Sequence, residues 1–253
     1  MNSQEPHLRG RVALITGASR NLGAGIARAM ASHGARVAVN YHSSRAAAGQ
    51  VIAGLEGSGH AAVAGDVSSA EGVEKLVAEA ERIMAATIDI LVNNAGPFSM
   101  TPYTELEPAE FDFIWNSNVR AAYLAARRVA PGMSAHGWGR IVNISAGSAF
   151  LRNHSVYTLA KDAMITLTEQ LAVELGPAIT VNCVAPGQIA ESAGDMAGFD
   201  KDFVSRTIAR TPAGRLVTRR DVAGVVLALC SPAFDMVTGA TVPVDGGARL
   251  PVG

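Results

Sequence analysis

The sequence predicts an α/β fold in which a mostly parallel sheet is covered by helices on both faces. Two observations lead to this prediction. Short, wholly apolar runs alternate with helical patterns along the chain, and glycine-containing turns follow several of these runs. Continuous apolar strands are typical of parallel sheets buried on both faces. In such folds ligands bind outside the carboxyl ends of the strands.

The first elements are a strand, a turn, a helix and a second strand. The helix follows from apolar side chains three and four residues apart, and it ends at Gly34. N–H groups at the start of this helix form a site where a diphosphate can bind. We predict strands at residues 12–15, 37–39, 61–67, 88–92, 140–144, 180–184 and 241–244. We predict helices up to Gly34, around Tyr157, and at about 70–85, 108–133 and 219–230.

The chain is interpreted as one domain that spans residues 1–253, because no linker rich in Pro, Gly or Ser divides it. A short polar tail is expected at 1–8. Residues 187–215 are expected to form a substrate-side segment with short helices. Hydrophobic residues make up 49% of the chain, yet no apolar run is long enough to span a membrane, and residues 1–10 are polar rather than typical of the apolar region of a signal peptide. We therefore expect a cytoplasmic protein that does not bind membranes.

Charge and metal-binding residue types point to a small-molecule partner. The net charge is −1 without a basic block, which argues against nucleic-acid binding. The six histidines and two cysteines lack the spacings of metal sites, so no metal is predicted. Cys183 and Cys230 lie in apolar contexts and are interpreted as reduced core residues.

Tyr157 and Lys161 are four residues apart at the start of a predicted helix, so their side chains share one face. A free phenol titrates near about 10, and a nearby ammonium favours its ionised form. Such a pair can give a proton to a carbonyl oxygen or take one back. The same spacing also occurs on helices without any catalytic role, so the surrounding motifs decide.

Six motifs occur together in an order that resembles the short-chain dehydrogenase/reductase family. They are Thr16-Gly17 through Gly23, Asn93-Asn94-Ala95-Gly96, Asn118, Tyr157-x-x-x-Lys161, Pro186-Gly187 and Asp245-Gly246-Gly247. The resemblance covers residues 8–248. It implies a Rossmann-like fold of three layers with a seven-stranded sheet, a nicotinamide cofactor and a homotetramer. The alanine-rich helix around 118–128 offers a flat face for assembly, although small residues there also suit close packing on the sheet.

The resemblance also assigns roles to individual residues. Tyr157 would protonate the substrate carbonyl, Lys161 would hold the ribose and lower the pKa of the tyrosine, and Asn118 would position a water in a proton relay. Asp66 would bond the adenine, with the Val67 backbone beside it. The other expected cofactor contacts are Gly17, Ser19, Arg20, Asn21, Leu22, Gly23, Tyr41, His42, Ser43, Ser44, Asn93, Ala95, Gly96, Pro186, Gly187 and Ile189.

Three positions depart from the family pattern. Asn21 replaces a glycine of the first turn, and asparagine tolerates a positive φ. Glu191 takes the place of a threonine that binds the nicotinamide carboxamide. Ala146 falls where the family has a serine that orients the carbonyl, so either Ser145 or Ser148 is expected to substitute, with a preference for Ser145.

The residues after the second strand indicate which cofactor binds. Family members that use NAD carry a carboxylate there, whereas residues 40–45 contain no acid and Arg20 lies on the same side. NADPH is therefore predicted. The predicted activity is reduction of a small-molecule carbonyl substrate, as in the 3-oxoacyl-carrier-protein reductases. The alternatives are a pteridine reductase, suggested by His42-Ser43-Ser44 and the missing serine, and a dinucleotide-binding protein without catalysis.

Overall fold

The computed structural model describes residues 6–151, 155–194 and 202–250, and these form the predicted α/β fold. The seven strands are β1 Val12–Ile15, β2 Arg36–Tyr41, β3 Ala61–Ala64, β4 Ile90–Asn93, β5 Gly139–Ile144, β6 Ile179–Pro186 and β7 Thr241–Val244. The helices are α1 Asn21–Ser32, α2 Arg45–Ala53, α3 Ala70–Met84, α4 Pro108–Trp115, α5 Ala121–Ala135, α6 Ser148–Leu151, α7 Val156–Leu175, α8 Phe203–Arg210 and α9 Arg219–Leu229. All seven predicted strands are confirmed.

The strands form one sheet in the order β3-β2-β1-β4-β5-β6-β7. Every ladder is parallel, so the sheet is wholly rather than mostly parallel. The four residues of β1 and the eight of β6 are all buried, which explains their continuous apolar sequences. The strand order reverses between β1 and β4, and the crevice at this reversal is the usual ligand site of such sheets.

Two apolar cores lie on opposite faces of the sheet. On one face, α1, α2 and α9 cover the sheet through residues such as Ile26, Met30 and Val226. On the other face, α3, α5 and α7 pack through residues such as Leu76, Val129 and Leu171. The alanines Ala125 and Ala126 of α5 are buried here. They therefore pack on the sheet, and they do not form the exposed assembly face that we expected from their small size.

Three details differ from the sequence-based prediction. Helix α2 was not anticipated, because it buries only Ala48 and Val51 and so has little apolar periodicity. The predicted long helix is divided by a π-helical turn, Asn116–Arg120, between α4 and α5. The polar tail ends before Leu8, which is fully buried and whose N–H donates to His33.

Cys183 and Cys230 are both buried and unpaired, as expected. Within the described ranges, no helix combines the length and apolar character that crossing a membrane requires.

Candidate active site

The carboxyl ends of β1, β2 and β4 surround the crevice at the reversal of strand order. The turn after β1 reaches a left-handed conformation at Gly17 (φ 62°) and at Asn21 (φ 52°). Asn21 therefore takes the conformation that a glycine would favour, as predicted for this substitution. A Cβ atom on Gly23 would lie 2.6 Å from the Gly17 carbonyl oxygen. A glycine is required here because α1 begins in direct contact with the turn.

Buried polar residues hold this turn in place. The Gly17 N–H donates to Asn40 Oδ1 at 2.9 Å, which joins the ends of β1 and β2. Thr16 Oγ1 accepts from the N–H groups of Asn94 and Ala95, each at 3.0 Å. Our sequence analysis gave no structural role to Thr16 or Asn40. A polar residue within the apolar run of β2 was the available signal for Asn40.

The turn is open to an anion. Arg20 precedes α1, its side chain makes no capping hydrogen bond to the helix, and the first turn of α1 contains no acidic residue. The N-terminus of α1 therefore presents N–H groups and a positive helix dipole toward the crevice. Ser19 lies in the turn just before α1, and Leu22 and Gly23 belong to the first turn of α1. These features fit the diphosphate of a dinucleotide.

Residues 41–45 follow β2 at the outer end of the crevice. His42, Ser43 and Ser44 are exposed, and Tyr41 is half-buried. Ser44 Oγ accepts from the Ala47 N–H at 3.2 Å and so caps α2. Residues 41–45 themselves contain no carboxylate, so they lack the acidic side chain that would repel a 2′-phosphate at this position.

Asp66 follows β3 in the same region. Its carboxylate accepts from the Ser68 N–H at 2.9 Å and the Ser68 hydroxyl at 2.8 Å, and these bonds lower its pKa. His42 Nδ1 lies 4.0 Å from Asp66. Val67 beside it is half-buried. The carboxylate is 42% exposed, so it can accept a further hydrogen bond from an adenine amino group.

Asn93 at the end of β4 points into the protein rather than into the crevice. Its Nδ2 donates to Asn143 Oδ1 at 2.9 Å, and Asn143 Nδ2 donates to Thr168 Oγ1 at 2.9 Å. This chain of amides joins β4, β5 and α7. The side chain of Asn93 therefore helps to hold the ends of β4 and β5 against α7.

Tyr157 and Lys161 lie on one face at the start of α7, as the spacing predicts. Ser155 caps this helix by accepting from the Thr158 N–H at 3.1 Å. Lys161 Nζ donates to the Ile144 carbonyl oxygen at 2.8 Å and lies 5.5 Å from the centre of the Tyr157 ring. The Ile144 carbonyl at the end of β5 therefore holds the Lys161 ammonium near the Tyr157 ring.

Burial dominates the ionisation of both residues. It raises the pKa of Tyr157 to about 12 and lowers the pKa of Lys161 to about 8. The pKa of Tyr157 is therefore raised, whereas the family resemblance implied that Lys161 would lower it. Desolvation of the phenolate is the cause of this rise. Tyr157 is consequently protonated at neutral pH.

Asn118 lies in the π-helical turn between α4 and α5. Its Nδ2 donates to the Ile114 carbonyl at 2.9 Å and to the Pro97 carbonyl at 3.2 Å. Its buried Oδ1 has no hydrogen-bond partner among the described residues. A Cβ atom on Gly96 would overlap this oxygen and would lie 3.3 Å from Lys161 Nζ. Gly96 therefore adjoins both polar groups, and only a glycine leaves room for them.

The two candidate serines, Ser145 and Ser148, differ in their hydrogen bonds, and the difference does not support the preference for Ser145. The Ser145 hydroxyl donates to the Lys161 carbonyl oxygen at 2.6 Å and is buried, so it is not free to orient a substrate carbonyl. Ser148 begins α6, and its buried hydroxyl has no partner in the described parts of the chain. Ala146 lies between them.

The turn after β6 is tied to the end of the sheet. Gly187 donates its N–H to the Val244 carbonyl at 2.9 Å and packs on Asp245, which brings Pro186-Gly187 beside the terminal Asp-Gly-Gly motif. Ile189 forms an isolated bridge to Val217. Glu191 faces the N-terminus of α9, where both its oxygens accept from the Arg219 N–H at 3.2 Å. Its carboxylate therefore does not replace the threonine of the family pattern.

Residues 17–249 match the family model described as enoyl-(acyl carrier protein) reductase. The chain is 37% identical to an L-xylulose reductase of Bos taurus over 244 residues, which covers 95% of this chain and 97% of the relative. The chain belongs to the short-chain dehydrogenase/reductase family. The resemblance inferred from the six motifs is therefore confirmed.

Solved structures of the family agree with the fold. A protein of Sinorhizobium meliloti 1021 described as a putative short-chain alcohol dehydrogenase gives a TM-score of 0.90 at 32% identity, and the match covers 98% of this chain and 100% of the other. A gluconate 5-dehydrogenase of Burkholderia cenocepacia J2315, solved with NADP and tartrate, gives 0.88 at 30% identity over 98% of each chain. Within the described residues, no cluster of three or more His, Cys, Asp or Glu side chains is arranged to hold a metal ion.

The low pKa of Lys161 predicts a pH dependence of stability. The value falls from 10.5 to about 8 on folding, so the contribution of this lysine is complete above pH 10.5 and is lost as the pH falls through about 8. From about pH 7 to about pH 10, wild type should therefore gain free energy of unfolding relative to Lys161→Met, by at most about 1.4 kcal/mol per pH unit.

Urea unfolding of both proteins across this pH range measures the difference. Other ionisable groups are common to the two chains and cancel. A difference that does not change with pH would contradict the burial of a titrating lysine.

Proposed function

We propose that this protein reduces a carbonyl group of a small molecule with NADPH. The observation that carries the proposal is the placement of a protonated, half-buried Tyr157 near Lys161 and near the π-helical turn that contains Asn118, at the carboxyl end of the sheet where the dinucleotide turn also lies. The nicotinamide of the bound cofactor would supply the hydride. The chain itself has to supply a proton, hold the substrate and exclude water.

Tyr157 is the proton donor in this proposal. Its high pKa keeps the hydroxyl protonated, so it can donate to the carbonyl oxygen as negative charge develops there. Lys161 has three donors, of which one binds Ile144, and the others can bind the ribose. The free Oδ1 of Asn118 can hold a water between Lys161 and solvent, and this water returns a proton to the tyrosine.

Ser148 is the residue that we assign to orienting the substrate carbonyl. The hydroxyl of Ser145 is already used by the backbone of α7, whereas that of Ser148 lacks a partner among the described residues. A buried hydroxyl without a partner is costly, which favours a bond to the ligand.

NADPH is the cofactor supported by charge. Residues 40–45 contain no acid, and Arg20, Ser43 and Ser44 can bind a 2′-phosphate. One structural relative was solved with NADP, and another relative, of Arabidopsis thaliana, is named an NADPH-dependent aldehyde reductase. Both names support the assignment. A cytoplasmic location is proposed with it, since a reducing compartment keeps the buried thiols of Cys183 and Cys230 intact.

The substrate class is proposed from the surroundings of Tyr157. The Phe98 ring packs edge-to-face on Tyr157 at 4.9 Å, and both Phe98 and Met100 are 57% exposed. Ser99 between them donates to Glu110 at 2.6 Å, which fixes this loop on α4. An apolar wall beside the proton donor suits a substrate with a hydrocarbon part, such as a 3-oxoacyl thioester. Relatives named for L-xylulose and gluconate make small hydroxylated ketones the second candidate.

The catalytic assignment predicts that Tyr157→Phe lowers kcat by at least about 10²-fold, because it removes the proton donor. The dissociation constant for NADPH, measured by fluorescence, should change little. Turnover should be assayed with a 3-oxoacyl thioester, L-xylulose, a cyclic diketone and a dihydropterin. A Tyr157→Phe enzyme that keeps substantial activity on every substrate used by wild type would refute the assignment.

The two serines provide a matched comparison in the same assay. Ser148→Ala should lower kcat by about 10- to 100-fold. Ser145→Ala should lower the free energy of unfolding by about 1 kcal/mol, through loss of its bond to Lys161. The reverse result, with loss of activity confined to Ser145→Ala and no effect of Ser148→Ala, would reassign the role.

The cofactor assignment predicts that Arg20→Ala raises the KM for NADPH more than the KM for NADH, since only NADPH carries the 2′-phosphate. We expect a difference of about 3- to 10-fold that shrinks as salt is added. Steady-state kinetics with both cofactors measures it. A wild-type enzyme with the higher kcat/KM for NADH would overturn the preference.

We also propose a homotetramer in which the outer face of α5 and α7 joins two copies. Val173 of α7 is 87% exposed and Tyr123 of α5 is 43% exposed, so both helices carry an apolar side chain that faces outward. Both helices line a groove on this face, formed by Tyr123, Arg127, Ala130, Pro131, Ser134, Leu171, Glu174 and Leu175. Such a face suits burial against its own copy around a twofold axis.

The assembly proposal predicts that Val173→Asp yields a smaller species than wild type, because it places a carboxylate in the buried contact. Light scattering at micromolar concentration measures the mass. The control is Ile83→Asp on α3, where the side chain is 40% exposed and the mass should not change. A monomeric wild type would rule out the tetramer.

A further inference from the structure

One arginine contacts both Asn21 and Glu191, two of the residues that depart from the family pattern. Arg219 Nη2 donates to Asn21 Oδ1 at 3.1 Å. The backbone N–H of the same arginine donates to both carboxylate oxygens of Glu191 at 3.2 Å. We propose that Arg219 is a positioning residue that couples dinucleotide binding at the β1 turn to the position of residues 189–191, near the start of the substrate-side segment. This inference rests on the proposed binding of NADPH.

Residues 189–191, near the start of the substrate-side segment, contact residues 217–219. The Ala190 N–H donates to the Val217 carbonyl at 2.7 Å, and Ile189 forms a bridge to Val217. The Glu191 carboxylate lies at the N-terminus of α9, where the helix dipole favours a negative charge. These contacts fix residues 189–191 to the start of α9. A movement of the N-terminus of α9 should therefore move residues 189–191 with it.

The other side of Arg219 faces the dinucleotide turn. A Cβ atom on Gly25 would lie 3.5 Å from Arg219 Cβ, so the first turns of α1 and α9 are in contact. Asn21 has a φ of 52°, and its oxygen accepts from the guanidinium in this conformation. A glycine at position 21 would have no side chain with which to accept this bond. The arginine therefore depends on the asparagine for its position.

The positive charge of Arg219 gives its contact with Asn21 a role in dinucleotide binding. Arg20 precedes α1, and the guanidinium of Arg219, from the start of α9, reaches Asn21 at the N-terminus of α1. The first turn of α1 contains no acidic residue. A diphosphate bound there is attracted by both cations, and it stabilises the arrangement in which Arg219 is held at the turn. By reciprocity, a fixed segment must strengthen binding as much as binding fixes the segment. The contacts are exposed, so the coupling is expected to be a few-fold rather than large.

A double-mutant cycle with NADPH tests the proposal. Arg219→Ala should raise the dissociation constant, measured by fluorescence at low salt, by about 3- to 5-fold. In an Asn21→Gly background the same change should have a smaller effect, below about 2-fold, because the guanidinium is no longer held at the turn and only its long-range attraction remains. Arg220→Ala is the control, since the neighbouring arginine is exposed and should leave binding unchanged.

Trypsin cleavage within residues 202–215 provides a readout that does not depend on turnover. NADPH should slow cleavage of wild type and of Arg220→Ala, and should protect Arg219→Ala less. Effects on binding that multiply independently in the double variant, or equal protection of all three proteins, would overturn the coupling. A wild type that does not bind NADPH at all would instead reject the proposed function.

Discussion

The burial of Lys161 is the constraint on which the arrangement of the site depends. An ammonium removed from water needs hydrogen-bond acceptors, and the described residues supply one, the Ile144 carbonyl at the end of β5. The same strand end donates back through Ser145 to the Lys161 carbonyl. Two hydrogen bonds in opposite directions therefore fix the first turns of α7 on the sheet. The position of Tyr157 follows, because it lies one turn before the lysine on the same face.

The neighbouring strand and helix are shaped to leave room for this lysine. Gly96 passes so close to Asn118 and Lys161 that no other residue fits. The π-helical turn between α4 and α5 directs Asn118 inward, and π-helical turns are frequent at functional sites. The amide chain from Asn93 through Asn143 to Thr168 adds a second connection between the strands and α7. Buried polar groups at the carboxyl end of the sheet therefore determine how Tyr157, Lys161 and Asn118 are arranged, and the apolar cores hold the helices and the sheet together around them.

Sequence patterns could predict the parts that depend on local chemistry. The apolar runs located every strand, and the four-residue spacing placed Tyr157 and Lys161 on one face. Tertiary contacts decided what the sequence could not. The sequence allowed either Ser145 or Ser148 and led to a preference for Ser145, whereas packing against α7 leaves only the Ser148 hydroxyl without a partner among the described residues. Glu191 likewise occupies the position of a cofactor-binding threonine in the sequence, and only the structure shows that its carboxylate faces α9. The pKa of Tyr157 required its burial to be known, since the lysine alone indicates a shift in the opposite direction.

The central claim is that a hydride and a proton reach one carbonyl group at this sheet edge. The most direct measurement uses NADPH that carries deuterium at C4 of the nicotinamide, with a ketone that the enzyme consumes. The account predicts an alcohol with the deuterium on the carbinol carbon, formed by wild type and hardly at all by Tyr157→Phe. An alcohol that carries no deuterium from either face of the labelled cofactor would contradict it.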